Sequence, residues 1–275
     1  MAKLLIIGAS RGIGRETVKA ALATGHNVRA LARSASSIPI QNPRLEKVPG
    51  NALDSSTIRS ALQGVDVVVQ TLGVDIAPRS IFERTTLFSQ STRILVDAMK
   101  ATGVKRLIAV TGLGAGDSRG HGGLLYDAVV FPLFLKRVYD DKDVQEWIVK
   151  SSGLDWTIVR PGLLKNSPAT GRYRVLTASK DWRFGAISRA DVADFLVRQV
   201  NDRTLIGTTP LLISWPACGS AATNYMHRIR RLWLMATAHL HSASNLSPHG
   251  GQGITRDEKS RPGFLDFRRC EAPAG

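Results

Sequence analysis

Cysteine is almost absent from this chain. Only Cys218 and Cys270 occur, both in the last quarter, and neither belongs to a C-x-x-C pair or to a metal-like histidine spacing. That excludes a disulfide framework and gives no metal site, and it suits a reducing cytoplasm, which is the expected location. Long apolar runs are missing as well. The longest late one, Leu124 to Leu135, is interrupted by Asp127 and Pro132 and falls well short of the roughly 20 residues of a membrane span. The first apolar run is too short for a signal peptide and continues into a glycine turn, so neither a leader nor a transmembrane segment is expected. Acid is scarce: 22 Asp and Glu face 37 Lys and Arg, a net charge of +15. Such a balance favours anionic partners such as nucleotides and permits loose attraction to nucleic acid or acidic membrane. The cations are nevertheless spread along the chain with no run of five or six, so they read as a solvated basic surface with no specific nucleic-acid partner.

What is present is ordinary for a soluble α/β protein: 43% hydrophobic and 21% charged residues in a chain of 275, long enough for one domain and an appendage. The organising stretch is Lys3 to Gly14, K-L-L-I-I-G-A-S-R-G-I-G. Leu4 to Ile7 suit a buried parallel strand, and the residues from Arg15 to Ala23 read as a helix closed by Gly25. Between them lie Gly8, Ser10, Arg11, Gly12, Ile13 and Gly14. Strand, glycine turn and helix N-terminus make a phosphate site, because free N–H groups and the helix dipole attract negative charge while glycine lets a pyrophosphate approach the backbone.

A second strand, Asn27 to Ala32, ends at Arg33, followed by serines and no acid. A dinucleotide with a free ribose 2′-hydroxyl usually meets Asp or Glu there. Arg33, helped by Arg11, instead suits a 2′-phosphate, so NADP(H) is expected in preference to NAD(H). Strands are expected at Leu45–Val48, Asp66–Gln70, Arg106–Val110, Asp155–Val159 and Leu211–Ile213. Helices are expected from Ser55 to Leu62 behind an Asp54 cap, Glu83 to Ala101, Lys136 to Ser152, and after the capping pair Ser188 and Asp191. In the helix from Lys136, the residues Val144, Trp147 and Ile148 share the apolar face, and Asp140 and Asp141 are expected in solvent. Leu72 and Gly73 form a small-residue edge for the ligand, and Thr111 ends its strand where a hydroxyl reaches a nicotinamide or substrate. The segment from Asp117 to Gly123 reads as a loop over the site, its His121 a solvated histidine. This alternation predicts a Rossmann-type, doubly wound parallel sheet with helices on both faces over residues 1–214. Residues 215–275 lose the pattern and read as an irregular, largely disordered tail with one amphipathic helix from about Tyr225 to Leu240.

These residues resemble the atypical branch of the short-chain dehydrogenase/reductase superfamily, with its flavin reductase/biliverdin-reductase-like and NmrA-like members. The likeness spans about residues 3 to 213. It rests on Gly8 to Gly14, Val110-Thr111-Gly112, Tyr139-Asp140-Asp141-Lys142, and most specifically the string from Ser152 to Gly162. The resemblance implies that Pro161 and Gly162 line the nicotinamide pocket. Two departures stand out. The glycines follow G-x-x-x-G-x-G, the spacing of the larger dehydrogenases, and the Tyr-x-x-x-Lys pair is missing: Val130, Asp143, Thr177 and Ile229 follow the four tyrosines at that distance. That pair works because an ammonium lowers the tyrosine pKa, so ordinary alcohol and ketone chemistry loses its proton donor.

The expected function is an oxidoreductase passing hydride from NADPH to a small conjugated electron acceptor, a flavin, a quinone or a similar ring, where positioning dominates. Thr111 is the candidate orienting hydroxyl, and Tyr139 or Lys142 the pocket-side donor or electrostatic support. A non-catalytic, NAD(P)-binding redox sensor or scaffold is the alternative; an epimerase or dehydratase is weaker, since it needs the missing pair.

Overall fold

Every second residue of the first strand faces one of two apolar layers, and that alternation builds the fold. A computed structural model describes residues 1–73, 86–118 and 136–214. The expected helix start at Glu83, His121, both cysteines and the helix from Tyr225 to Leu240 lie outside the described residues. Strands β1 (Lys3–Ile7), β2 (Asn27–Ala32), β3 (Leu45–Pro49), β4 (Val67–Gln70), β5 (Arg106–Val110) and β6 (Asp155–Pro161) fall where the sequence places them. Short strands β7 (Leu163–Lys165), β8 (Tyr173–Leu176) and β9 (Ala186–Ser188) follow, then β10 (Leu211–Ser214). The helices are α1 (Gly12–Ala23), α2 (Ser55–Ala61), α3 (Leu87–Thr102), α4 (Lys136–Lys150) and α5 (Arg189–Arg198).

The main sheet runs β3-β2-β1-β4-β5-β6-β10-β8, parallel throughout except for β8 against β10. Leu4 and Ile6 of β1 pack with Val18 and Leu22 of α1 and with Val192, Phe195 and Leu196 of α5. Leu5 and Ile7 face the other way, onto Ile58, Leu95, Met99 and Val149 of α2, α3 and α4. This is the doubly wound Rossmann architecture. No helix among the described residues is long and apolar enough to cross a membrane.

Two expectations are corrected. Simple strand–helix alternation fails after β6: Gly162 lies so close to Gly185 that a Cβ would overlap its carbonyl, Leu163 N donates to Gly185 O at 2.8 Å, and β7 and β9 form a separate parallel ribbon. Helix α4 also turns a different face inward. Val144 is 44% and Trp147 64% exposed, whereas Asp141, Lys142, Gln145 and Glu146 are buried beside Ile148 and Val149. Asp140 is half-buried rather than solvated. Partners explain the inversion, since buried charges persist where hydrogen bonds replace water. Asp141 accepts from the Phe88 and Ser89 amides that open α3, and Gln145 donates to Gln70 at 3.1 Å.

Candidate functional site

Strand order reverses at β1, whose neighbours β2 and β4 lead to opposite halves of the sheet, and a crevice opens outside the carboxyl ends of these strands. The turn after β1 needs its glycines. Gly8 has φ +86°, and a Cβ there would stand 2.8 Å from Thr71 O. A Cβ on Gly14 would overlap the Gly8 carbonyl and stand 2.6 Å from Thr71 Oγ1, whose proton is given to Ile7 O at 2.8 Å. Helix α1 therefore starts directly on the end of β1.

The N-termini of α2, α3 and α5 use protein oxygens. Asp54 accepts from Ser56 and Thr57 at 3.0 and 3.3 Å, Asp141 serves α3, and Ser188 Oγ accepts from Asp191 N at 2.8 Å. Helix α1 differs: its N-cap Arg11 makes no side-chain cap bond, and among the described residues no side-chain oxygen from elsewhere in the fold takes that place. Its amides and dipole are arranged for an anion.

A cleft of about 850 Å³ crosses this point, within the usual size of cofactor sites. Gly8, Ser10, Arg11, Gly12 and Ile13 line its centre. Arg33 and Ser34, with Asn51 and Ala52 after β3, line the β2 side; Leu72, Gly73, Thr111, Lys142 and Pro161 line the β5–β6 side. Of the remaining sequence candidates, Gly14 and Gly162 support the cleft through close packing without lining it. Tyr139 does not line it; its hydroxyl lies 2.9 Å from where a Cβ on Gly112 would stand. The residues fit a nicotinamide dinucleotide. Bare amides at the start of α1 would meet a pyrophosphate, and the exposed Arg33 stands where an acid for a free 2′-hydroxyl would be.

Beneath the β5–β6 side lies a buried polar network. Thr111 Oγ1 donates to Glu146 Oε1 at 2.8 Å, and Lys142 Nζ donates to Thr111 O at 2.7 Å. The threonine hydroxyl thus anchors a carboxylate, while its carbonyl fixes the lysine at the cleft wall. Burial pushes the Lys142 ammonium down to about 8, and the carboxylates of Glu146 and Asp141 partly offset this. Lys142 Nζ also lies 4.6 Å from the centre of the Phe88 ring. Arg160 Nη2 reaches Asp117 Oδ1 at 2.6 Å as well as Glu146, and these carboxylates raise its pKa despite burial. Sequence reasoning passed over Glu146, Arg160, Asn166 and Arg189. The available signal was Arg160 itself: an arginine inside an apolar central strand demands a buried partner.

The model of a family described as NAD(P)H-binding matches residues 8–203, which takes in every residue lining the cleft. The chain is 29% identical over 205 residues to a protein of Bacillus subtilis (strain 168) named uncharacterized sugar epimerase YhfK, covering 73% of this chain and 89% of that one. It is 32% identical over 184 residues to a 3-diazoavenalumate denitrifying reductase of Streptomyces sp., covering 62% and 59%. Among solved structures, the anaerobillin reductase ChuY of Escherichia coli O157:H7 matches with a TM-score of 0.64 at 26% identity, over 80% of this chain and 100% of that one.

Proposed function

The chain belongs to the NAD(P)H-binding family, and from that premise we propose that it is an NADPH-dependent reductase acting on a small conjugated acceptor such as a flavin or quinone. One observation carries the reading. A single cleft runs from a guanidinium at the end of β2, past a bare helix N-terminus, to an ammonium of depressed pKa beside β5 and β6. A reduced nicotinamide bound there supplies the hydride. The glycine-turn amides hold the pyrophosphate, Arg33 pairs with the 2′-phosphate, and Pro161 and Leu164 wall the nicotinamide end. Lys142 holds the proton at Nζ that, with the hydride, completes a two-electron reduction of the acceptor. Its pKa near neutrality suits a donor at physiological pH. Thr111 positions that ammonium, and of the two donor candidates Lys142 lines the cleft whereas Tyr139 does not.

The reductase names of the Streptomyces and Escherichia coli relatives support this reading. The epimerase name of the Bacillus relative does not carry over, because no tyrosine here has a lysine four residues on. The test mixes the protein with NADPH and a panel of flavins and quinones and follows nicotinamide absorbance. Acceptor-dependent oxidation is expected. Binding without oxidation across the panel would replace the enzyme with a cofactor-binding sensor or scaffold.

A further inference from the structure

The β7–β9 ribbon stands apart from the main sheet, and its register explains what it delivers. Lys165 pairs with Ser188, so the next residues, Asn166 and Arg189, emerge side by side. Arg189 Nη1 donates to Asn166 Oδ1 at 2.6 Å, and both side chains line the cleft. Because Asn166 is neutral, the bond orients the guanidinium without neutralising it. Among the described residues no carboxylate pairs with Arg189. The nearby Asp191 is committed elsewhere, accepting from Thr170 N at 2.7 Å and Gly171 N at 2.8 Å.

Arg189 Nε lies 3.8 Å from where a Cβ on Gly12 would stand, and Gly12 is the first residue of α1. That helix end carries the equivalent of about half a positive charge. Arg11 and Arg15 line the same cleft. The Arg189 guanidinium, set beside a positive helix terminus, attracts a doubly charged anion to the space between them. We infer that the β7–β9 ribbon is a phosphate clamp: Arg189, held by Asn166, adds a guanidinium to the glycine-turn cradle and grips the dinucleotide pyrophosphate. The inference rests on the cofactor reading above. Arginine suits the task because its planar fork makes paired bonds to phosphate oxygens. The pyrophosphate, rather than the 2′-phosphate, is the target because Arg189 stands over Gly12 whereas Arg33 stands at the end of β2.

Calorimetric titration with NADPH, NADH and ADP-ribose tests it, using wild type, Arg189→Ala, Arg189→Lys and Asn166→Ala. Arg189→Ala is expected to weaken all three ligands by a similar factor of about ten or more, with the ligand-free melting temperature unchanged. Arg189→Lys, which keeps the charge but loses the planar fork, is expected to recover only a minor part of the loss, and Asn166→Ala to weaken binding less than Arg189→Ala. If Arg189→Ala does not fold, Arg189→Gln replaces it in the same comparison. Wild-type affinity for all three ligands in the alanine or glutamine variant overturns the clamp, as does a loss confined to NADPH. A wild-type protein that binds none of the three overturns the cofactor reading itself, and the clamp with it.

Discussion

Arg160 donates Nε and Nη2 to the two oxygens of Glu146 at 2.9 and 2.5 Å, and solvent reaches almost none of either side chain. Such a forked pair brings geometric order at a large desolvation cost. Here the order has an object. Glu146 also accepts from Thr111, so one carboxylate ties α4 to the ends of both β5 and β6, where Thr111 and Pro161 line the cleft.

Replacing Glu146 by Gln keeps the shape and removes the charge, leaving the buried Arg160 cation with Asp117 as its remaining acidic partner. The expected loss of stability is about 3–5 kcal/mol, the usual result of breaking one side of a buried ion pair. Urea denaturation measures it. A loss under about 1 kcal/mol would show that the pair contributes no more than a surface bridge.

On the proposed reading, Lys142 is expected to give the reaction and the fold a shared pH dependence. As a donor with a pKa of about 8, it is charged below that pH, so acceptor reduction is expected to be flat there and to decline above it. Lys142→Met should be slow and lack the decline. The folded pKa lies below the ordinary 10.5, so the unfolded chain binds more protons between about 8 and 10.5. Stability therefore rises with pH through that window, by something on the order of 3 kcal/mol at most. The methionine variant should lack this rise. Denaturation curves at several pH values decide it, and parallel profiles for the two proteins would remove Lys142 from both roles.

Arg33 follows β2 and is exposed on the cleft, so its replacement should disturb little of the fold. Arg33→Asp is expected to weaken NADPH by about tenfold or more while leaving NADH within about threefold, because the new carboxylate repels a 2′-phosphate and accepts from a free 2′-hydroxyl. Direct titration of both cofactors reads the ratio. Equal losses would place the 2′-phosphate away from β2.

The strand, glycine turn and helix at the N-terminus were legible because each is set by local chemistry, as were the Asp54 and Ser188 caps. Helix α4 was misread for the opposite reason. Its apolar residues Val144 and Trp147 suggested the core face, yet what decides burial there is contact with distant residues: Glu146 with Arg160, Lys142 with Thr111, Asp141 with Phe88. Periodicity carries no record of such partners. Strands β7 and β9 have three residues each, too few for an alternation to register, so the ribbon and its Arg189 stayed invisible until the register was known.

Gly14 separates two principles that make opposite predictions. Within a helix, alanine is more favourable than glycine by about 1 kcal/mol, so propensity alone favours Gly14→Ala. Packing opposes it. The new Cβ would press on the Gly8 carbonyl, which is backbone, and on Thr71 Oγ1, which is held by its bond to Ile7 O. Neither neighbour is free to swing aside, so α1 must move off the end of β1. Overpacking of this kind costs about 1–3 kcal/mol, which outweighs the propensity gain. We expect a lower melting temperature, and weaker binding of NADPH and NADH by the same factor, since on the proposed reading the displaced amides hold the part the two cofactors share. A variant as stable as wild type with unchanged affinity would mean that the close approach of helix and strand does not set the phosphate cradle.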